Sequence, residues 1–290
     1  MLKHLSPTPF SPDRVIIVGA AGFVGKAVAS RLHAAGVPVL GLAREDVDLL
    51  SAGAAAQLIT LLRKSDTVVM ISAQAPVKSN VMLIDNLRMM AAVCDSIAAV
   101  QVEHLIYVSS DAVYADADTP MSEESCAQPA SLHGVMHLTR EVMLAQAYKG
   151  PLCVLRPTLI YGASDPHNGY GPNRFRRLAQ SGGDLVLFGE GEERRDHVYI
   201  DDVAEIVARC VVHKSEGTLN IATGVVTSFR EIAEMIAALM PNSPTVKSSP
   251  RRGPMPHNGY RAFDVAASYA AFPDFCYTLL PDGLKMAKVA

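Results

Sequence analysis

Residues 14–25 read Arg14-Val-Ile-Ile-Val-Gly19-Ala-Ala-Gly22-Phe-Val-Gly25. Val15 to Val18 form an unbroken β-branched run, the pattern of a strand buried on both faces, and glycines 19, 22 and 25 then punctuate a turn into a helical pattern. Each glycine has its own reason to be there. Gly19 permits the tight turn off the strand, Gly22 lets backbone approach a pyrophosphate, and Gly25 lets helix pack closely on strand. The helix amino terminus beyond them presents free N–H groups and a positive dipole end. Glycines alone would also serve a plain strand-to-helix turn. The flanking strand and helix make this a dinucleotide fingerprint, with Gly19, Ala21, Gly22, Phe23, Val24 and Gly25 as its contact residues.

Outward from this turn, short β-rich runs alternate with helical patterns. Strands are expected over residues 14–19, 37–42, 67–71, 104–109 and 152–156, and helices over about 22–35, 53–63, 80–99 and 132–147, the last capped by Ser131. This order predicts an α/β fold, a Rossmann-type doubly wound parallel sheet with right-handed crossovers. From Tyr161 a stretch rich in Gly, Pro, Asn and Asp reads as a loop leaving the sheet for a small C-terminal substrate-binding lobe. We therefore expect a dinucleotide-binding domain over residues 1–165, rejoined at about 196–221, with residues 166–290 mainly the lobe. The lobe pattern holds a strand over 184–188, a strand and helix over 197–212, a strand over 218–221, a helix over 228–239 and an irregular last fifty residues.

With 290 residues, 49% of them hydrophobic, and a formal net charge of −3 with both signs interspersed, the chain shows no electrostatic footprint for nucleic acid or an anionic membrane. Five scattered cysteines without a C-x-x-C spacing indicate neither a disulfide framework nor a cysteine zinc site. No run approaches a membrane span, and the N-terminal stretch has no continuous apolar segment. A reduced, cytoplasmic protein is the expectation.

At the adenosine end, an acid closing the second strand would hold a ribose 2′-hydroxyl, but Ala43 stands there, followed by Arg44. A guanidinium suits a 2′-phosphate, so the cofactor reading is NAD(P) with NADP slightly favoured; a solvated surface charge is the plainer alternative for Arg44. Asp48 reads as an acceptor for the adenine amino group, with an exposed loop aspartate as the plainer alternative.

The chain resembles the extended short-chain dehydrogenase/reductase family, the NAD-dependent epimerases and dehydratases of nucleotide sugars. Besides the glycine turn, the matching blocks are residues 66–73, Asn86, the run Tyr107-Val-Ser-Ser-Asp-Ala-Val-Tyr114, the run Leu155-Arg-Pro-Thr-Leu-Ile-Tyr-Gly162, residues 189–202 and Asn220-Ile-Ala-Thr-Gly224. The resemblance implies cofactor contacts at Ala73, Asn86, Ser109 and Pro157. It further implies that Ser110 hydrogen-bonds the reacting sugar hydroxyl, that Asp111 belongs to the catalytic set, that Arg195 and Arg252 contact a substrate diphosphate, and that a homodimer forms through the helices after the third and fourth strands. Tyr114 and Tyr161 read as packing residues, and His104, His167, His197 and His213 as satisfied structural or surface residues.

One departure stands out. The family's catalytic pair is Y-x-x-x-K, with a glutamate four residues beyond the lysine; here the segment from Pro129 to Glu141 places His133 at the tyrosine and His137 at the lysine. The usual lysine lowers the tyrosine pKa so that phenolate can take a hydroxyl proton. Imidazole needs no such help, its ordinary pKa being about 6.5. The expectation is a neutral His133 as general base, with His137 donating to the nicotinamide ribose and Ser110 orienting the substrate. Two other readings stay open: a non-catalytic NAD(P)-binding module that has lost its pair, and a helical His133/His137 metal pair, for which no third ligand is evident.

Overall fold

The computed structural model describes residues 2–289. In chain order the strands and helices are β1 (Lys3–His4), β2 (Arg14–Val18), α1 (Phe23–Ala34), β3 (Val39–Leu42), α2 (Ala54–Leu61), β4 (Asp66–Met70), α3 (Asn80–Val100), β5 (His104–Val108), α4 (Leu132–Ala147), β6 (Leu152–Pro157), β7 (Leu159–Tyr161), α5 (Pro172–Gln180), β8 (Leu185–Phe188), β9 (Arg194–Tyr199), α6 (Ile200–Val212), β10 (Ser215–Ile221), β11 (Val226–Ser228), α7 (Phe229–Leu239), β12 (Val246–Ser249), β13 (Tyr260–Arg261), α8 (Ala266–Ala271) and α9 (Leu280–Val289).

Seven strands form the main sheet in the order β1-β10-β6-β5-β4-β2-β3, all parallel except the antiparallel edge strand β1. Residues of each strand alternate between two cores, as the two-residue side-chain period requires. Val15, Ile17 and Ile106 pack against α1 and α6, whereas Ile16, Val18, Leu105 and Tyr107 pack against the layer of α2, α3 and α4. Strand order reverses at β2, with β3 on one side and β4 on the other. A crevice therefore opens beyond the carboxyl ends of β2 and β4, the place where open α/β sheets receive ligands.

The lobe holds β9 between β7, β11 and β13, and a separate parallel pair, β8 with β12. Its core of Phe175, Leu185, Leu187, Phe229, Ile232 and Ile236 lies under α5 and α7. Ser228 caps α7 through a full capping box with Glu231. Three local expectations need correction. The last fifty residues are not irregular, since they contain β12, β13, α8 and α9. The glycine-rich loop ends in α5, where Pro172 at the helix start satisfies a position that needs no N–H. Strand β9 belongs to the lobe, so the return to the main sheet begins with α6 and β10. Among the described residues no helix is long and apolar enough to cross a membrane, and all five cysteines are free thiols.

His104, read from sequence as satisfied, is only half so. Its Nε2–H donates to the Ser215 carbonyl at 2.7 Å, which leaves Nδ1 a bare, buried acceptor without a partner. Burial, above all, pushes its pKa down to about 4. In the unfolded chain the same ring takes up a proton near its ordinary value of about 6.5, so this contribution to stability is complete above that pH and is lost as pH falls towards the folded value. Denaturant titrations of wild type and His104→Gln check this: the wild-type unfolding free energy should fall more steeply below about pH 6.5, by up to about 1.4 kcal/mol per pH unit. Equal slopes would remove His104 from the account.

Candidate functional site

The glycine turn is shaped partly by the chain itself and partly by a space the chain does not use. Gly19 has φ +100°, and a Cβ there would lie 2.7 Å from the Ser72 backbone nitrogen. A Cβ on Gly25 would overlap the Gly19 carbonyl oxygen. Both positions therefore need glycine for internal reasons. Gly22 does not: its φ is −74°, and a Cβ would meet only the Gly19 oxygen at 3.4 Å, an ordinary contact. The absent side chain at Gly22 keeps room for something outside the fold. No side chain caps α1 and no acidic residue occupies its first turn, so its positive end faces that room unneutralised. These features fit the phosphates of a dinucleotide, which the backbone from Gly19 through Ala21, Phe23 and Val24 would hold.

Beside the turn lies a cleft of about 180 Å³ whose wall includes Leu42, Arg44, Asp48, Leu50, Ala73 and Met89. Arg44 and Asp48 meet at its rim at 3.1 Å, and Asp48 also accepts from the Leu50 amide at 3.0 Å. That backbone bond first, and Arg44 second, hold the Asp48 carboxyl below its usual range. Asn86 is fully buried, with its amide accepting from Gln74 N and donating to Gln74 O and Met82 O. It shapes the 73–74 backbone instead of presenting a free group to the cleft.

At the next strand, Ser110 caps a short turn of helix, Asp111–Val113, accepting from Ala112 N at 3.1 Å. Helix α4 begins against this turn, because Gly134 leaves no room for a side chain beside the Ala112 carbonyl. Its capping residue is Ser131, as expected. His133 and His137 share one helical face with ring centroids 4.7 Å apart, edge to face. Burial lowers both pKa values, and His133 and Arg140 deepen the effect at His137, so both are neutral at physiological pH. Asp111 pulls His133 the other way, and His133 Nδ1 is buried without a partner.

Glu141 anchors the helix. It accepts from Ser109 Oγ at 2.5 Å and from Arg156 at 3.0 and 2.5 Å. Arg156 in turn donates to the Tyr114 hydroxyl at 2.9 Å, and that hydroxyl donates to Asn220 at 2.7 Å. Burial opposes the Arg156 charge, but Glu141 outweighs it and raises the guanidinium pKa. Tyr114 is thus a member of a polar network and not only a packing residue, while the hydroxyl of Ser109 is spent on Glu141. Pro157 is buried at the end of β6.

Across the cleft, the lobe delivers Arg195 to within 3.9 Å of Asp111, with Glu193 at 3.3 Å on its other side. Arg261, which the sequence reading passed over, is buried and donates to the Asp111 carboxylate at 3.0 Å, to its carbonyl at 2.5 Å and to Asp116 at 2.9 Å. Arg252 is exposed and, among the described residues, makes no hydrogen bond or ion pair. Its neighbour Arg251 turns into the lobe instead, donating to the Phe188 carbonyl at 3.0 Å. His197 is also unlike its expectation: Nδ1–H donates to the Arg195 carbonyl at 3.2 Å, and Nε2 is buried and unpartnered. Burial holds its pKa at about 3. Among the described residues no set of three or more His, Cys, Asp or Glu side chains is arranged to hold a metal ion, so His133 and His137 gain no third ligand.

The sequence profile of the NAD dependent epimerase/dehydratase family matches residues 15–222. The chain belongs to this family. It is 29% identical over 264 residues to a UDP-glucose 4-epimerase of Mycolicibacterium smegmatis, covering 77% of this chain and 82% of that one. It is 23% identical over 278 residues to a dTDP-4-dehydro-6-deoxy-D-allose reductase of Streptomyces bikiniensis, covering 82% and 84%. The solved UDP-glucose 4-epimerase of Thermus thermophilus in complex with NAD superposes with a TM-score of 0.82 at 24% identity, covering 95% of this chain and 98% of that one. A GDP-L-fucose synthetase of Naegleria fowleri bound to NADP superposes with a TM-score of 0.83 at 18% identity, covering 99% and 96%. These superpositions carry the fold. In this member of the epimerase/dehydratase family, Gly19, Ala73 and the Ser109–Ser110 pair follow the carboxyl ends of three adjacent strands, β2, β4 and β5.

Proposed function

We propose that this chain is an NAD(P)-dependent oxidoreductase acting on a nucleotide-linked sugar, of the epimerase, dehydratase or reductase type, with His133 as its proton-transfer residue. The observation that carries the reading is the uncapped amino end of α1 facing the space left by Gly22, on the strand-end edge that also bears Ser110 and His133. When bound, the nicotinamide supplies the acceptor or donor of a hydride. The chain's residues handle the proton. His133 is neutral because burial lowers its pKa, so one ring nitrogen is unprotonated and can accept the proton of a substrate hydroxyl without a neighbouring lysine. Asp111 favours the resulting imidazolium, and Ser110 orients the hydroxyl. His137 takes the lysine's place as a donor to the nicotinamide ribose. Arg195, with Arg252, faces the substrate diphosphate from the lobe, where planar bidentate donors suit phosphate.

Support for NADP over NAD is the absence of an acid at Ala43 and the place of Arg44 at the cleft rim. Support for a homodimer is the exposure of Val81 and Ile84 on α3 and Val142 on α4. The cytoplasm is the compartment that fits its free thiols.

Three measurements test these points. His133→Ala should lower turnover on a nucleotide-sugar substrate by about 10²-fold or more while nucleotide affinity stays within about threefold. Unchanged turnover would take His133 out of the reaction, and nucleotide binding with no turnover across a broad nucleotide-sugar panel would favour a non-catalytic binding module. Arg44→Ala should weaken NADP binding by about tenfold and leave NAD nearly untouched, the size of one charge-assisted contact; a wild-type preference for NAD refutes the NADP assignment. Light scattering should give twice the chain mass, and a monomer at micromolar concentration counts against the dimer.

A further inference from the structure

The residue standing at the family's lysine position is held by a group on the sheet beneath it. Tyr107, on β5, is fully buried on the face that α4 covers. Its hydroxyl lies 2.8 Å from His137 Nδ1. The direction of that hydrogen bond follows from what else is present. Burial keeps the phenol protonated, its pKa pushed up to about 12, so it has a proton to give. His137 is neutral, so only one of its nitrogens carries hydrogen. Arg140, 5.4 Å from the Tyr107 ring centroid, offers only donors. Among the described residues His137 Nδ1 is therefore the acceptor that the buried hydroxyl has. With the proton on Nδ1 instead, the phenolic O–H would be enclosed without an acceptor.

We propose that Tyr107 is a positioning residue: by donating its hydroxyl to Nδ1 it holds His137 in the Nε2–H form, a neutral single donor where the family carries a cation. What the Nε2–H then serves, the nicotinamide ribose, rests on the function proposed above; the tautomer itself does not. The arrangement also accounts for the loss of lysine. Arg140 is completely buried, its Nη2 donates to the Ser72 carbonyl at 2.8 Å, and among the described residues it forms no ion pair. A second cation at residue 137 would face that uncompensated charge in a buried site, whereas a neutral imidazole does not.

The test is the tautomeric state of His137 in the full chain labelled with ¹⁵N-histidine, read by long-range ¹H–¹⁵N correlation near neutral pH without nucleotide, in wild type and Tyr107→Phe. Wild type should show His137 with a bare Nδ1 and a protonated Nε2. In Tyr107→Phe, which keeps the ring and its packing, the Nδ1 resonance should shift towards the protonated position as the two tautomers mix. An Nδ1–H form or an imidazolium in wild type overturns the proposal, as does an unmoved Nδ1 resonance in a folded Tyr107→Phe. Should that variant fail to fold, the wild-type spectrum alone decides. Because the spectrum is taken without nucleotide, failure of the protein to bind NAD(P) would strike the proposed function and leave this result standing.

Discussion

Glu141 on α4 and Arg156 on β6 face each other inside the protein, and the position of the whole candidate site follows from that contact. Each group is too costly to bury alone, so once the helix docks the pair must close. The carboxylate also takes the Ser109 hydroxyl, and the guanidinium reaches Tyr114 and through it Asn220, so the carboxyl ends of three adjacent strands are tied to the middle of one helix. A buried pair of this kind adds little net stability compared with apolar residues of the same size. What it does supply is register: α4 packs against the Ser110 turn, with His133 two turns before Glu141, and His137, one turn before it, lies 2.8 Å from the Tyr107 hydroxyl.

The cleft that results is a place of neutral rings among paired charges. His133, His137 and His197 all lose their positive charge to burial, while Arg195 and Arg261 converge on Asp111 from the lobe. Neutral imidazole is the form that accepts a proton, and a fixed carboxylate nearby favours the charged form that follows. The usual pair of the family works by a cation acting on a phenol. Here the cation, Arg140, is on the buried face of α4 over the Tyr107 ring, and the phenol, Tyr107, meets the imidazole of His137, so the same kinds of group are present in a different order.

Residues 14–25 were enough to place a strand, a glycine turn and a helix, because each step depends on neighbours within one turn of chain. The alternation beyond them carried the parallel sheet, and Ser131 marked the start of α4 by a cap that is equally local. Legibility failed where partners are distant. Arg261 meets Asp111 across 150 residues, and no motif marks it. Arg251 and Arg252 are chemically alike, and only the path of the loop turns the first inward. His197 and Tyr114 looked ordinary until the orphaned Nε2 of one and the shared hydroxyl of the other came into view. Helices α8 and α9 were hidden by the prolines around them.

Sequence by itself determined the glycine turn between strand and helix, the doubly wound order of elements and the spacing that sets His133 and His137 on one helical face, since those are matters of residue type and short spacing. Tertiary structure alone decided the burial that keeps those histidines neutral, the hydrogen bond between His137 and Tyr107, the role of Glu141 as an anchor and the arginines that reach Asp111. Burial and the direction of a hydrogen bond set a side chain's chemistry, and both come from residues that are far apart in the chain and brought together only when the helix lies on its sheet.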